Sequence, residues 1–182
     1  MSVKVTYFVH STTLDNIEHK STGWLDGELS EKGINQSILL REQINIEDFD
    51  VVFCSDLKRA VDSANITFQN SVKIVLDSRL RECNYGDLNG KDSKLVVYED
   101  HIKDKFPKGE ALIDVENRVN EFCEFLLQNY DNKNVAIVAH KATQMAFQVI
   151  TESKTWDMVI SEDWRRTKNW KPGWIYYINK ED

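Results

Sequence analysis

The 182-residue sequence has few of the residues that interrupt or cross-link a chain: two prolines, seven glycines and three cysteines. It has no linker-like, repetitive or low-complexity stretch, so we expect a single domain over residues 1–182. The three cysteines (Cys54, Cys83, Cys123) are an odd number without paired spacing, which argues against a disulfide framework and for a reducing compartment. Because no signal-like segment and no membrane-length apolar run is found, we predict a cytoplasmic protein.

Positive charge is also in short supply, with 23 Lys and Arg against 30 Asp and Glu, a net charge of -7. This balance disfavours nucleic acid and membrane as partners, but it allows a local positive pocket. The sequence has no Walker glycine loop, dinucleotide fingerprint, Gly-x-Ser-x-Gly elbow or His-Glu-x-x-His motif. His19 and His101 have no ligand-spaced partner, so we predict no metal site.

Strand-like and helix-like segments alternate along the chain. Apolar periodicity predicts strands over 3–9, 49–54, 72–76, 134–139 and 174–178, and helices over 30–44, 55–68, 113–130 and 142–150. This alternation predicts an α/β fold in three layers, with a mostly parallel sheet covered by helices on both faces.

Two helix starts can be described in more detail. Ser30 has the character of an N-cap, and the helix after it is predicted to turn Ile34 and Ile38 towards the core. Ser55 and Asp56 are predicted to cap the next helix.

Two stretches fit the alternation less well and are candidate cap or lid segments. Residues 91–112 are strongly charged and are predicted to form a surface excursion with one helix over 93–101. Residues 151–172 are aromatic and basic, and their tryptophans are predicted to cover the core while their cations pair with acidic residues. The alternative is that this segment forms a wall over a substrate pocket.

Reactive side chains stand where three predicted strands end. His10 ends the first strand, Ser55 and then Arg59 follow the second, and His140 ends the strand over 134–139. Right-handed crossovers bring the carboxyl ends of parallel strands to one edge, where ligands bind in open α/β sheets. Two histidines, an arginine and a helix N-terminus there indicate a phosphate site without a metal. Glu82, in a polar loop, is the candidate to protonate a leaving alcohol.

Several segments occur in an informative order: VKVTYFVH ends at His10, SDLKRA contains Arg59, LRECNYGDLNG contains Glu82 and VAIVAH ends at His140. With Asn16 six residues after His10, this order resembles the histidine phosphatase superfamily and its phosphoglycerate-mutase-like fold, from Val3 to about Ile150. The resemblance implies that His10 is the nucleophile, that Glu82 is the proton donor, and that Arg59 and His140 hold the phosphoryl group. It also implies substrate contacts from Asn16, Thr22 and Gly23.

The chain departs from that family's pattern at both histidine motifs. Val9 stands where the family has arginine, Ser11 and Thr12 replace Gly-Glu/Thr, and Lys141 replaces a glycine. Loss of a guanidinium removes a bidentate phosphate clamp. We hypothesise that Lys141 supplies the missing charge, assisted by the hydroxyls of Ser11, Thr12 and Thr13. The alternative is that Lys141 is a solvated residue at a helix start.

The resemblance implies a metal-independent phosphatase, without cofactor, that hydrolyses a small phosphorylated metabolite through a phosphohistidine and exists as a monomer or homodimer. Two alternatives remain open. One is a catalytically impaired relative that binds phospho-ligands or has a regulatory role, because Val9 replaces the motif arginine. The other is a phosphoglycerate-type mutase, although the chain lacks the long insertions of family mutases.

Overall fold

The first strand occupies an interior position of a five-stranded sheet, as its run of β-branched and aromatic residues predicts. The computed structural model describes residues 1–179. In chain order its strands and α-helices are β1 (Ser2–Val9), α1 (Leu14–Ile17), β2 (Lys20–Ser21), α2 (Glu31–Gln43), β3 (Val51–Cys54), α3 (Lys58–Phe68), β4 (Ile74–Leu76), β5 (Lys91–Asp92), α4 (Leu112–Asn129), β6 (Asn134–Ala139), α5 (Lys141–Glu152), α6 (Trp156–Ser161), α7 (Trp164–Thr167) and β7 (Trp174–Asn179).

The main sheet has the strand order β4-β3-β6-β1-β7. Its first four strands are parallel, and the edge strand β7 runs antiparallel to β1. The predicted α/β fold with a mostly parallel sheet is therefore confirmed. The register places Val9 opposite Ala139 and Cys54 opposite Val138, so the carboxyl ends of β1, β6 and β3 are level with one another.

Side chains of the strands point alternately to the two faces of the sheet and pack into two separate hydrophobic layers. Val5 and Tyr7 point to the layer that contains the apolar faces of α4 and α5. Phe8 and Val52 point to the opposite layer, where α3 and Leu40 of α2 pack. Each large apolar side chain buried in this way contributes about 1.5–3 kcal/mol. The two layers fix the sheet between helices and leave its carboxyl edge for the site.

Helix α2 packs differently from the prediction. Ile34 is 41% exposed and Ile38 is only partly buried, whereas Gly33 and Ser37 face inward. The reason is a very close approach: a Cβ on Gly33 would lie 2.0 Å from the carbonyl oxygen of Thr12. Small residues therefore form the contact face, and the larger isoleucines are turned away from it.

The predicted cap of the following helix is also wrong. Helix α3 begins at Lys58, and the residue before it makes no side-chain cap. The Ser55 hydroxyl lies 2.7 Å from His140 Nε2, and the Asp56 carboxylate accepts two hydrogen bonds from Arg81, at 2.7 and 2.6 Å. Both candidate caps are thus engaged by tertiary partners.

The charged segment after β5 does not form the predicted helix over 93–101. It contains two short 3-10 turns, Ser93–Leu95 and Tyr98–His101. Tyr98 and Phe106 are buried in the main hydrophobic layer, so the segment is anchored and is not a pure surface excursion.

The aromatic and basic segment combines both of its proposed roles, except that Trp170 is 55% exposed and does not cover the core. Trp156 is buried in the core, and the Arg166 guanidinium pairs with Glu99 at 2.7 Å. Trp164 and Arg165, in contrast, line the cleft at the carboxyl edge of the sheet. Within residues 1–179, no helix has both the length and the apolar character needed to cross a membrane.

Candidate active site

Two imidazoles meet at the carboxyl edge of the sheet. His10 follows β1 and His140 follows β6, and the parallel pairing of these strands places the two rings side by side. Their centroids are 5.1 Å apart and their planes are inclined by 56°. The convergence expected from the strand ends is thus present in the structure.

The His10 ring is held in one tautomer. Its Nδ1 lies 2.8 Å from the Ser11 carbonyl oxygen, and because a carbonyl can only accept, Nδ1 carries the proton. Nε2 then has a free lone pair. Burial, followed by the charges of Arg59 and Arg165, lowers the pKa of His10 to about 3, although its bond to Ser11 opposes the shift. These surroundings favour the neutral ring, which is the form that a nitrogen nucleophile needs.

His140 is fully buried and is not among the residues that line the cleft. Burial and the nearby Arg59 charge hold its pKa well below the ordinary value. Its Nε2 lies 2.7 Å from Ser55 Oγ, and its Nδ1 has no hydrogen-bond partner in the described part of the chain. If the Ser55 hydroxyl donates to Nε2, Nδ1–H is a buried donor available to an anion beside His10.

Arg59 supplies a buried positive charge. Its side chain extends from the first turn of α3, and the residue is only 2% exposed. The guanidinium donates to the carbonyl oxygens of Gly23, at 2.7 Å, and Leu25, at 3.2 Å. Burial lowers its pKa, and within residues 1–179 no carboxylate forms an ion pair with it. A desolvated cation with only carbonyl partners favours a bound anion.

Glu82 is buried at the N-terminus of α5. Its Oε1 accepts hydrogen bonds from the backbone N–H groups of Cys83, at 2.9 Å, and Ala142, at 3.0 Å. Its own carbonyl oxygen accepts from Trp24 Nε1 at 2.7 Å and from the Arg118 guanidinium at 3.0 Å. Backbone and side chain are thus both fixed, which keeps the carboxyl group in one place.

His10, Arg59 and Glu82 border a cleft of about 410 Å³. Its lining contains four cations and one carboxylate, and the chain is acidic overall, so the cleft is a local positive site. The charged residues of the lining are Lys20, Arg59, Lys141, Arg165 and Glu82. The predicted residues Thr12, Asn16, Thr22, Gly23 and Lys141 also line it.

Two predicted phosphate ligands lie elsewhere. The Ser11 hydroxyl bonds to Ser37 Oγ at 2.7 Å, so it faces α2. Thr13 is fully buried, and its hydroxyl caps α1 by accepting from the Asn16 backbone N–H at 3.0 Å. Neither residue lines the cleft, because both hydroxyls are consumed in joining the loop to neighbouring helices.

Other cleft residues were not predicted as site residues. Tyr85 and Tyr98 form part of the wall, and their hydroxyls lie 2.7 Å apart. Trp164 and Arg165 form another part, and the only signal in the sequence was the aromatic and basic character of their segment. Ser55 was noticed as a strand-end residue, but its contact with His140 depends on the pairing of β3 with β6.

The sheet edge with paired histidines, a buried arginine and a fixed carboxyl group defines a phosphate-handling α/β protein. The family model of the histidine phosphatase superfamily (branch 1) matches residues 8–167, and the chain belongs to this superfamily.

Curated relatives include both hydrolases and mutases. Phosphoserine phosphatase 1 of Hydrogenobacter thermophilus is 30% identical over 170 residues, covering 85% of this chain and 80% of the relative. 2,3-Bisphosphoglycerate-dependent phosphoglycerate mutase 2 of Gloeobacter violaceus is 31% identical over 150 residues, covering 74% of this chain and 68% of the relative. Among solved structures, Bacillus stearothermophilus YhfR matches with a TM-score of 0.78 and 25% identity, covering 87% of this chain and 84% of that one. These relationships support phosphoryl transfer of the histidine phosphatase type.

Proposed function

We propose that this protein hydrolyses a small phosphomonoester through a phosphohistidine on His10. The observation that carries the proposal is the hydrogen bond of the His10 ring, whose Nδ1 donates to the Ser11 carbonyl and leaves Nε2 without a proton in the neutral ring. His10 and the buried Arg59 line the same cleft. A nucleophile beside a fixed cation suits attack on a phosphate dianion.

In the first step, His10 Nε2 attacks phosphorus and an N–P bond forms as the ester P–O bond breaks. Glu82, in its acid form, gives its proton to the departing oxygen, so the product leaves as an alcohol. Oε1 of Glu82 already accepts two backbone hydrogen bonds, and Oε2 is bonded to no residue of the described chain. We therefore assign the transferred proton to Oε2.

In the second step, a water molecule attacks the phosphohistidine. The Glu82 carboxylate takes one proton from this water, an O–P bond forms, and the N–P bond breaks to return the electron pair to His10. Phosphate leaves, and both side chains are restored to their starting states. The same carboxyl group thus serves as acid and then as base.

The phosphoryl oxygens need donors that are in place before the reaction. In this proposal Arg59 binds them, Nδ1–H of His140, buried beside His10 and outside the cleft lining, is the candidate second donor, and Lys141 contributes a further positive charge from the cleft wall. Asn16, Thr22, Gly23 and Thr12 border the same space and are candidate substrate contacts. Positioning and charge stabilisation by fixed donors are the main sources of catalysis in phosphoryl transfer.

The test is the turnover of p-nitrophenyl phosphate in the presence of a chelator. We expect the wild type to be active and His10→Ala to lose activity by about a thousandfold or more, because the covalent step needs the nucleophile. His19→Asn is the matched control, since His19 is exposed and adopts a positive φ of 56°, which asparagine tolerates. Equal activity of His10→Ala and wild type would refute the proposal.

Two other outcomes would identify the alternatives. Phosphate binding without turnover would indicate a phospho-ligand-binding relative. Exchange of the phosphoryl group between positions of a glycerate phosphate would indicate a mutase, which the relationship to a phosphoglycerate mutase makes worth measuring.

A further inference from the structure

One carboxylate organises two of the cations that line the cleft. Asp163 is 5% exposed, and its oxygens lie 3.0 Å from an Arg165 guanidinium nitrogen and 3.2 Å from Lys141 Nζ. Burial alone would raise the pKa of Asp163, but the charges of Arg165 and Lys141, together with the hydrogen bonds from Arg165, hold the pKa below its usual value. Asp163 is therefore an anion whose charge is shared by two cations.

The Arg165 guanidinium is fixed from a second side. It lies over the Trp164 ring, 4.2 Å from the centroid. Trp164 in turn stacks on Trp174, with centroids 5.2 Å apart, and donates from Nε1 to Gln144 Oε1 at 3.1 Å. A guanidinium held between a buried carboxylate and a fixed aromatic ring loses little conformational freedom on binding a ligand.

Arg165 still has donors to offer. Within residues 1–179, only its backbone N–H and one terminal guanidinium nitrogen form hydrogen bonds, both to Asp163. The positive charge of Arg165 also acts on His10, because Arg165 and Arg59 are the two cations that lower the pKa of His10. Lys141 also pairs with Asp163 and lies 4.6 Å from the centroid of the Tyr98 ring, but its ammonium group is a point charge and not a planar fork of donors.

The residue that precedes His10 contributes no charge to the cleft. Val9 lines it beside His10, and its side chain packs against the core, so this position supplies no charge. A phosphate dianion carries two negative charges, and among the cations that line the cleft Arg59 and Arg165 are the two guanidinium groups. A fork-shaped donor set is the best match to two phosphoryl oxygens.

We propose that Arg165 is a phosphate-binding residue that replaces the arginine absent at Val9, and that Asp163 is the positioning residue that aims it into the cleft. The assignment rests on the proposed phosphatase function and extends it, because it places the second phosphate clamp in the C-terminal segment. Lys141 then has the lesser role of balancing the second oxygen of Asp163.

The decisive variants are Arg165→Ala and Arg165→Lys, with Arg166→Ala as the matched control. Arg166 is the adjacent residue, but it is exposed and pairs with Glu99 outside the cleft. We expect Arg165→Ala to reduce kcat/KM for p-nitrophenyl phosphate by about a hundredfold and to weaken binding of inorganic phosphate, measured by calorimetry, by about tenfold or more. Arg165→Lys should recover only part of both, because an ammonium group cannot form the fork. Arg166→Ala should match the wild type.

Asp163→Asn tests the positioning role, since it removes the charge and keeps the shape. We expect it to raise KM and to lower phosphate affinity by less than Arg165→Ala does, with an unchanged far-UV circular dichroism spectrum. If Asp163→Asn fails to fold, the two Arg165 variants alone decide the proposal.

Calorimetry separates this proposal from the proposed function. Wild-type phosphate affinity in Arg165→Ala would overturn the assignment of Arg165, even if the protein is an active phosphatase. Loss of phosphate affinity in Arg165→Ala would support it, even if the wild type turns over no phosphomonoester.

Discussion

The Arg118 side chain is the centre of the loop that holds Glu82, and its truncation should destabilise the protein. All five guanidinium N–H groups donate hydrogen bonds. Two of them bond to the Glu110 carboxylate, at 3.0 and 3.1 Å. The other three bond to the backbone carbonyls of Arg79, Arg81 and Glu82, at 2.7, 2.7 and 3.0 Å. Arg118→Ala removes the salt bridge to Glu110 and leaves the carbonyls of Arg79 and Arg81 without their donor, while the Glu82 carbonyl keeps only its bond from Trp24 Nε1.

The expected size follows from the exposure of the pair. Removing one partner of a buried ion pair costs about 3–5 kcal/mol. The Arg118 and Glu110 side chains are 15% and 19% exposed, so water can partly solvate what is left, and we expect a loss of about 2–4 kcal/mol. Against a total stability of about 5–15 kcal/mol, this is a large fraction. The corresponding fall in Tm is about 5–15 °C.

Urea denaturation followed by circular dichroism measures this loss, and Arg166→Ala serves as the reference. The Arg166–Glu99 pair has exposed side chains, at 53% and 45%, and should contribute less than about 1 kcal/mol. Arg118→Ala should also lower kcat, because the Glu82 backbone loses one of its anchors. Equal urea midpoints for the two variants would show that the carbonyls of this loop do not depend on Arg118.

Two further predictions concern the histidines. Nitrogen NMR should show that His10 and His140 are neutral from pH 7 down to pH 5. The pKa of His10 is about 3 in the folded protein and about 6.5 in the unfolded chain. Because the unfolded chain therefore binds more protons between these values, the free energy of unfolding should fall as the pH drops from 6.5 towards 3. A His10 titration midpoint near 6.5 would contradict the burial argument. Ser55→Ala removes the hydrogen bond to His140 Nε2 and should cost about 1–3 kcal/mol in urea denaturation and lower kcat, whereas Ser55→Thr keeps the hydroxyl and should retain most of both. Identical stability of Ser55→Ala and wild type would show that this hydroxyl does not support the ring.

Much of the fold could be predicted because its elements carry local signals. Strand β6 matches its predicted range, and α4 matches within one residue at each end, since both have strong apolar periodicity. The segment after β5 could not be predicted in the same way. Its charged composition suggested a solvated helix, but Tyr98 and Phe106 are buried by contacts with residues far away in the chain. Tertiary packing there overrides the local pattern.

Some residues of the candidate site could likewise be predicted from the sequence, and others could not. His10 and His140 were predictable, because the ends of parallel strands meet wherever such a sheet forms. The direction of a loop side chain was not, and Ser11 is the clear example: its hydroxyl faces α2, although it directly follows the histidine. Arg165 shows the converse, since it lies in the cleft although it is distant from every predicted motif.

The acidic chain can attract a phosphate dianion because the relevant charges are local. At physiological ionic strength the Debye length is about 8 Å, so exposed acidic groups beyond that distance are largely screened. A pair of unit charges at 4 Å is worth about 1 kcal/mol in water and about 4 kcal/mol at the effective dielectric constant of a protein site. Arg59 is 2% exposed, so the value for a protein site applies to it. Its attraction for a phosphate therefore outweighs the repulsion from the distant negative charges of a chain with net charge -7. The same reasoning applies to the proposed role of Arg165, because this residue lines the cleft and its charge is therefore local to the site, whereas a change in the net charge of the surface would not be.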